Sequence, residues 1–249
     1  MMLKQSALVA LLATSTIFAA DPKAADLAQT MMKAMGGQDA WSKAHFVRYD
    51  FVVNIGGKTL VDRAHLWDKM TGRYRLEGKD KQGHDTVALF NIGNHQGTAY
   101  VDGKKLEGPA AAEALKNAYG AFINDMYWLS MPWKWMDQGV TLAYQGQKPL
   151  DGKNYDVVGL TFGKVGLTPG DSYQAYVSPA SHLMEHWEFK LQSGQKGSWD
   201  WKYATTGGVK LASNHTTKDG NSISMGDVKV LDTVNEALFM DPGKHLRSK

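Results

Sequence analysis

The side chains best equipped for chemistry in this 249-residue chain are its histidines, carboxylates and aromatics, and their spacing decides what each could do. His182 and His186, with Met184 between them and Glu185 and Glu188 alongside, are the densest set of metal-type donors. The surrounding alternation reads as a strand, on which residues four apart lie roughly 13 Å from each other, too far for one metal ion. The other six histidines, at 45, 65, 84, 95, 215 and 245, are scattered. Asp50 and Asp62 fall on outward positions of neighbouring strands, where water solvates them. The sequence contains no G-x-S-x-G elbow, no phosphate-cradling glycine loop and no H-E-x-x-H. It also has no cysteine, which removes thiol nucleophiles, thiolate metal ligands, disulfides and an acylated N-terminal cysteine. No catalytic residue, metal site or cofactor is expected, and the protein reads as a non-enzyme.

What remains is apolar recognition. Eight Trp, ten Tyr and eight Phe supply large amphipathic surfaces. The segment Met126–Met136 (MYWLSMPWKWM) gathers Met126, Tyr127, Trp128, Met131, Trp133, Trp135 and Met136. Methionine and tryptophan are adaptable and large, which suits contact with variable lipid chains or with a partner surface. The same residues would serve equally as a permanent plug of the core. Trp187, Phe189 and Leu191 alternate with His186, Glu188 and Lys190, and Trp199, Trp201 and Tyr203 repeat the spacing on the next strand. Tyr49 and Phe51 share a face with Val47 and Val53. Such faces line either a ligand cavity or an ordinary core; the alternation fixes the face and leaves the space between faces open.

The elements that must position these groups are mostly strands. Ala24–Met35 repeats apolar residues at helical spacing, and Gly36-Gly37 ends it. Period two follows in 45–54, 60–68, 73–77, 85–92 and 98–102, with glycine turns between. A second helix spans 110–125 after Pro109, and Pro132 interrupts the aromatic segment that follows. Period two resumes in 140–144, 154–162, 172–178, 182–191, 197–205, 209–215 and 222–231. Gaps this short exclude parallel crossovers, so the strands must run antiparallel. The expected fold is mainly β: a curved antiparallel sheet, or incomplete β-barrel, of about twelve strands capped by two helices. A helix drawn from the middle of the strand series naturally lies across the sheet opening.

Residues 1–19 form a signal-peptide pattern: Lys4, an apolar run from Ala7, then small residues before Asp21-Pro22, with cleavage after Ala19 or Ala20. Residues 20–249 then make one exported domain, in the periplasm or secreted. Lys4 is the one charge in the leader, so cleavage takes the basic count from 28 to 27 against 25 acidic. These charges are interspersed, which gives a nucleic-acid partner little support. No later run is long and apolar enough for a membrane span.

Three stretches carry a resemblance: MMKAMGGQDAWSKAHFVRYDF, the block LSMPWKWMDQGVTLAYQG with LDGKNYDVVGLTF, and PGDSYQAYVSPASHLMEHWEF. They resemble an uncharacterised family of exported bacterial proteins related to the outer-membrane lipoprotein-sorting (LolA/LolB-like) carriers, over about Leu27 to Pro242. The resemblance implies an incomplete β-barrel capped by helices, with an apolar cavity for acyl chains. No functional motif of those carriers is matched, so no residue role is transferred. The reading is a periplasmic binding or carrier protein for a lipid acyl chain or lipid-anchored molecule. Its rivals are a structural or protein-interaction module of the cell envelope, and a hydrolase with an unrecognised site.

Overall fold

The computed structural model describes residues 21–163 and 170–247; the proposed leader lies outside the described residues. The chain opens with α1 (Pro22–Ala34) and a short α2 (Gln38–Lys43). Six strands follow: β1 (Phe46–Ile55), β2 (Lys58–Asp68), β3 (Arg73–Lys79), β4 (Asp85–Asn91), β5 (Gly97–Val101) and β6 (Lys104–Lys105). The long α3 (Gly108–Ser130) and a 3-10 turn over Met131–Lys134 lead to a second series. That series is β7 (Val140–Leu150), β8 (Lys153–Phe162), β9 (Ser172–Val177), β10 (Met184–Lys190), β11 (Lys196–Thr206), β12 (Val209–Thr216) and β13 (Ser222–Leu231).

All thirteen described strands form one open antiparallel sheet in the order β6-β5-β4-β3-β2-β1-β13-β12-β11-β10-β9-β8-β7. Each series is a meander, because turns of a few residues force neighbours to pair. Gly56-Gly57, with φ of 57° and 76°, makes the two-residue turn between β1 and β2. The two meanders join where β1 pairs with β13, which leaves β6 and β7 as the free edges. Since α3 leaves from one edge and delivers the chain to the other, it must cross the inward face.

Inward positions are set by the strand period. Val47, Tyr49 and Phe51 of β1 face Trp67, His65 and Arg63 of β2, and Trp187 of β10 faces Trp199 of β11. The apolar ones among these join Met31, Leu129, Met131, Trp133, Trp135 and Trp201 in one main cluster. Each fully buried large side chain stabilises it by roughly 1.5–3 kcal/mol. Helix α1 closes one end with Ala24, Ala28, Met31 and Met35. Its cap Asp21 accepts from Lys23 N at 3.0 Å, and its other oxygen accepts from Tyr144 N of β7 at 2.8 Å. One carboxylate thus caps the helix and a backbone donor of the β7 edge.

Several expectations need correction. The second helix runs five residues past Asp125 to Ser130, because nothing breaks it before Pro132, and Pro132 sits in the first turn of the 3-10 segment, where its missing N–H costs nothing. Helix α2 has no apolar repeat to announce it. His182 is a turn residue at φ 57°, outside the strand it was read into, and an irregular register between Met184 and His186 breaks the expected shared face. Asp50 and Asp62 do face outward; Asp62 stays exposed as expected, while Asp50 is mostly covered and both pair with the C-terminal tail. Arg247 lies 3.1 Å from Asp50 and 2.5 Å from Asp62, and Arg48 lies 2.6 Å from Asp50. The same tail is pinned by the buried Arg75, whose Nη1 donates to the carbonyls of Leu238 at 2.8 Å and Asp241 at 2.9 Å.

Candidate functional site

The inward face carries two different surfaces under α3. The first is an aromatic wall on β9–β12, and Trp128 of α3 is pressed against it. The Trp128 ring lies 4.9 Å from Trp187, 5.3 Å from Trp199, 6.3 Å from Trp201, 6.4 Å from Phe189 and 5.0 Å from His215. Tyr127 packs beside it on Tyr173, Phe162 and Trp187. Gly197 faces Phe189 across the strand pair, and the ring fills the space that a side chain there would need.

Polar atoms are stranded inside this wall. The indole nitrogens of Trp187 and Trp201 and both ring nitrogens of His215 are buried without a hydrogen bond. Leaving such a group unsatisfied costs roughly 1–3 kcal/mol. Burial pushes the His215 imidazole down to about 3, against a weaker pull from the Trp128 backbone. It is therefore neutral at ordinary pH.

The second surface is a buried polar chain at the centre of the inward face. Asp125 of α3 is fully buried and accepts two hydrogen bonds from Arg63 Nη1, at 3.0 Å and 2.8 Å, and a third from Asn124 at 2.8 Å. His65 Nε2 sits 3.2 Å from the same carboxylate, in an electrostatic contact too poorly aligned to be a hydrogen bond. His65 Nδ1 shares a 2.8 Å hydrogen bond with the Tyr74 hydroxyl, and Tyr74 shares one of 3.0 Å with Tyr49. The Tyr49 ring also stacks on His65 at 4.3 Å. Desolvation lowers the His65 pKa, opposed by Asp125, and raises those of Tyr49 and Tyr74 well above the ordinary value. Sequence reasoning placed Tyr49 among aromatics and missed the rest. The available signals were Arg63 and His65 in the same inward phase as Trp67, and Asp125 in the apolar second half of α3.

The other sequence-read residues separate by role. Trp133 is anchored: its Nε1 donates to Lys210 O at 3.1 Å and its ring stacks on Trp41 at 5.3 Å. Trp135 is buried with Nε1 on Met131 Sδ at 2.9 Å. Met126 packs with Phe122 against Tyr74 and Phe90, and Phe51 lies in the main core. Met136 is exposed and joins none of these contacts. Among the described residues no three histidine or acidic side chains gather as a metal-type cluster.

Three surface cavities stand out, and none of these three is lined by Trp128, Trp187 or Trp201. One of about 690 Å³ lies along β7–β11, mostly on the outward side, over Ala143, Gly159 and Ser198. One of about 470 Å³ opens where β2 and β3 part, and Arg63 lines it. One of about 430 Å³ lies between the start of α3 and β5, beside Tyr119. The interior expected as an acyl cavity is occupied in this arrangement by Trp128 and its neighbours.

No protein-family model matches the sequence, and no curated protein matches it. Among solved structures the chain is similar to a DUF1329 family protein from Desulfovibrio piger, at 12% identity, covering 88% of this chain and 96% of that one, with a TM-score of 0.48. It is also similar to a LolA superfamily protein from Nitrosomonas europaea, at 12% identity, 81% and 96% coverage and a TM-score of 0.42. A third is a putative outer membrane lipoprotein-sorting protein domain from Vibrio parahaemolyticus, at 11% identity, 86% and 97% coverage and a TM-score of 0.38. The class defined by this chain's own geometry is an open β-sheet wrapped around a crossing helix. Among its described residues no helix is long and apolar enough to span a membrane.

Proposed function

We propose that this is an exported, non-enzymatic binding or carrier protein for an apolar molecule bearing an acyl group, with α3 as the lid. The signal-peptide pattern supports export. The observation that carries the binding reading is the wall under Trp128. Trp187 and Trp201 hold two buried indole N–H groups with no hydrogen bond, beside the neutral His215, in a place one side chain covers. A purely structural core gains nothing from stranded donors. A bound acyl chain that took the place of Trp128 would bury equivalent apolar area, and its carbonyl oxygen would give those donors an acceptor. Apolar area removed from water is worth roughly 25 cal/mol per Å², reduced by the ordering of the chain and by displacement of Trp128.

Organic extraction of the protein purified from its native compartment, followed by mass spectrometry, tests the reading. A lipid in stoichiometric yield, together with saturable binding of a fluorescent fatty acid, is expected. No extracted lipid and no saturable binding would refute it. The rival reading as a protein-interaction module, favoured by the firmly anchored Trp133 and Trp135, would then gain if cross-linking recovered one discrete partner.

A further inference from the structure

Beyond the acyl wall, the polar chain at the centre of the inward face specifies a second part of the ligand. Two sheet-borne groups converge on one carboxylate. Arg63 presents Nη1 to both oxygens, His65 Nε2 lies 3.2 Å away with no other partner, and Tyr74 with Tyr49 holds the imidazole from behind. The carboxylate they surround belongs to Asp125, on the element that would have to move for anything to enter. Arg48, the remaining charged group felt at His65, lies on β1 and is paired outward with Asp50.

We propose that Arg63 and His65 form the anion subsite of a long-chain carboxylate, and that Asp125 fills it in the unliganded protein as an internal surrogate. The inference rests on the acyl-binding reading and adds the charge of the head group. Two further observations support it. Asp125 and Trp128 are three residues apart on α3, so their axial separation is about 4.5 Å, and both leave together when the helix lifts. Their departure frees the charged subsite and the aromatic wall side by side, the layout of an amphiphile with an anionic head and an apolar tail. Arg63 is also reachable: its side chain is 32% exposed and lines the groove of about 470 Å³ where β2 and β3 part. A guanidinium that touches solvent on one side and a buried carboxylate on the other is placed to exchange one anion for another. Arginine suits this exchange because it stays charged and pairs with both oxygens of a planar carboxylate.

The test compares hexadecanoate with its methyl ester, which keeps the chain and carbonyl and loses the charge, by calorimetry on the full chain. Hexadecanoate is expected to bind about tenfold more tightly, the size of one charge-assisted contact. Arg63→Gln should lower hexadecanoate affinity about tenfold and bring it to that of the ester, since it removes the charge that Nη1 presents to both carboxylate oxygens. A measurement on the unmodified protein guards against a variant that fails to fold. The carboxyl carbon of ¹³C-labelled hexadecanoate should titrate at lower pH when bound than when free, because the cation beside it favours the ionised form. Equal affinity for acid and ester, with a bound carboxyl that titrates as in solution, would overturn the anion subsite and leave the acyl reading standing. Failure of both probes to bind would overturn the two together.

Discussion

The stability of this protein should fall steeply in mild acid, and one residue should account for a defined share of the fall. His215 lies on β12, opposite Trp201 and Ile223, fully buried beneath Trp128 and without a hydrogen bond at either nitrogen. Its pKa drops from the ordinary 6.5 to about 3, chiefly by desolvation. Below the ordinary value the unfolded chain takes up a proton that the folded chain refuses. Stability is therefore complete above pH 6.5 and is lost progressively down to about 3, at close to 1.4 kcal/mol per pH unit. Across the whole window the loss approaches about 5 kcal/mol, comparable with the entire stability of a modest domain. Other groups also titrate there, so the measurement compares wild type with His215→Phe, which keeps a flat ring and removes the proton site. Urea unfolding followed by far-UV circular dichroism at about pH 7.5 and about pH 4.5 should show wild type losing roughly 2.5 kcal/mol more than the variant. Parallel losses in the two proteins would mean that His215 is hydrated or partnered, and would refute both its neutrality and the stranded-donor argument.

Three further substitutions follow from single contacts. Gly36→Ala should cost about 3 kcal/mol in urea unfolding, because Gly36 sits at φ 116° and an added Cβ would stand 2.2 Å from Gly208 O. Arg75→Met should cost roughly 3 kcal/mol and expose the tail after Leu231 to limited proteolysis, since the buried Arg75 holds the Leu238 and Asp241 carbonyls; an intact tail would contradict this. Trp128→Ala should lower unfolding free energy by about 3 kcal/mol yet tighten binding of a fluorescent fatty acid, and a parallel loss of binding would show that Trp128 is wall rather than lid.

The fold was readable because the strand period survives in almost every element. Val47-Tyr49-Phe51 and Trp187-Phe189 point inward as alternation requires, and the short glycine turns leave no room for crossovers. The errors sit where a local signal was mute. His182 takes a left-handed conformation that a histidine rarely adopts, so the strand begins two residues later than its pattern. Proline 132 marks a break truthfully, but the helix before it had no reason to stop at Asp125. The polar chain was the least legible part. Arg63 and Asp125 are separated by 62 positions, and His65 and Tyr74 by nine. Only the β2–β3 register and the passage of α3 from edge to edge bring them together, and neither is a property of any one segment.

How α3 could open follows from where it is held. Its exit is fixed: Trp133 is hydrogen-bonded to β12 and stacked on Trp41, and Met131 and Trp135 are buried. Its first turn is not, since Gly108–Ala110 are exposed and the preceding β6 is two residues long, and from Leu115 the helix packs on Tyr74, Ala88 and Phe90 through Ala118 and Phe122. Regular helix geometry ends at Ser130, whose φ of −139° and ψ of 16° separate α3 from the 3-10 turn. The lid reading has the helix swing about its fixed end, with the hinge at Ser130 and both Asp125 and Trp128 on the moving side, and opening then breaks the contacts of Ala118 and Phe122 with Tyr74 and Phe90. Native-state hydrogen exchange checks this directly. Amides of residues 112–124 should exchange through a local opening at lower free energy than the β1, β12 and β13 core, with protection rising toward residue 130. Asp125→Asn should speed exchange over 112–124 and leave the sheet amides almost unchanged, because it weakens the ion pair to Arg63 that ties the last third of the helix to β2. Uniform protection along α3, matching the sheet and responding to Asp125→Asn only through global stability, would make α3 a fixed core helix and remove the lid from the proposal.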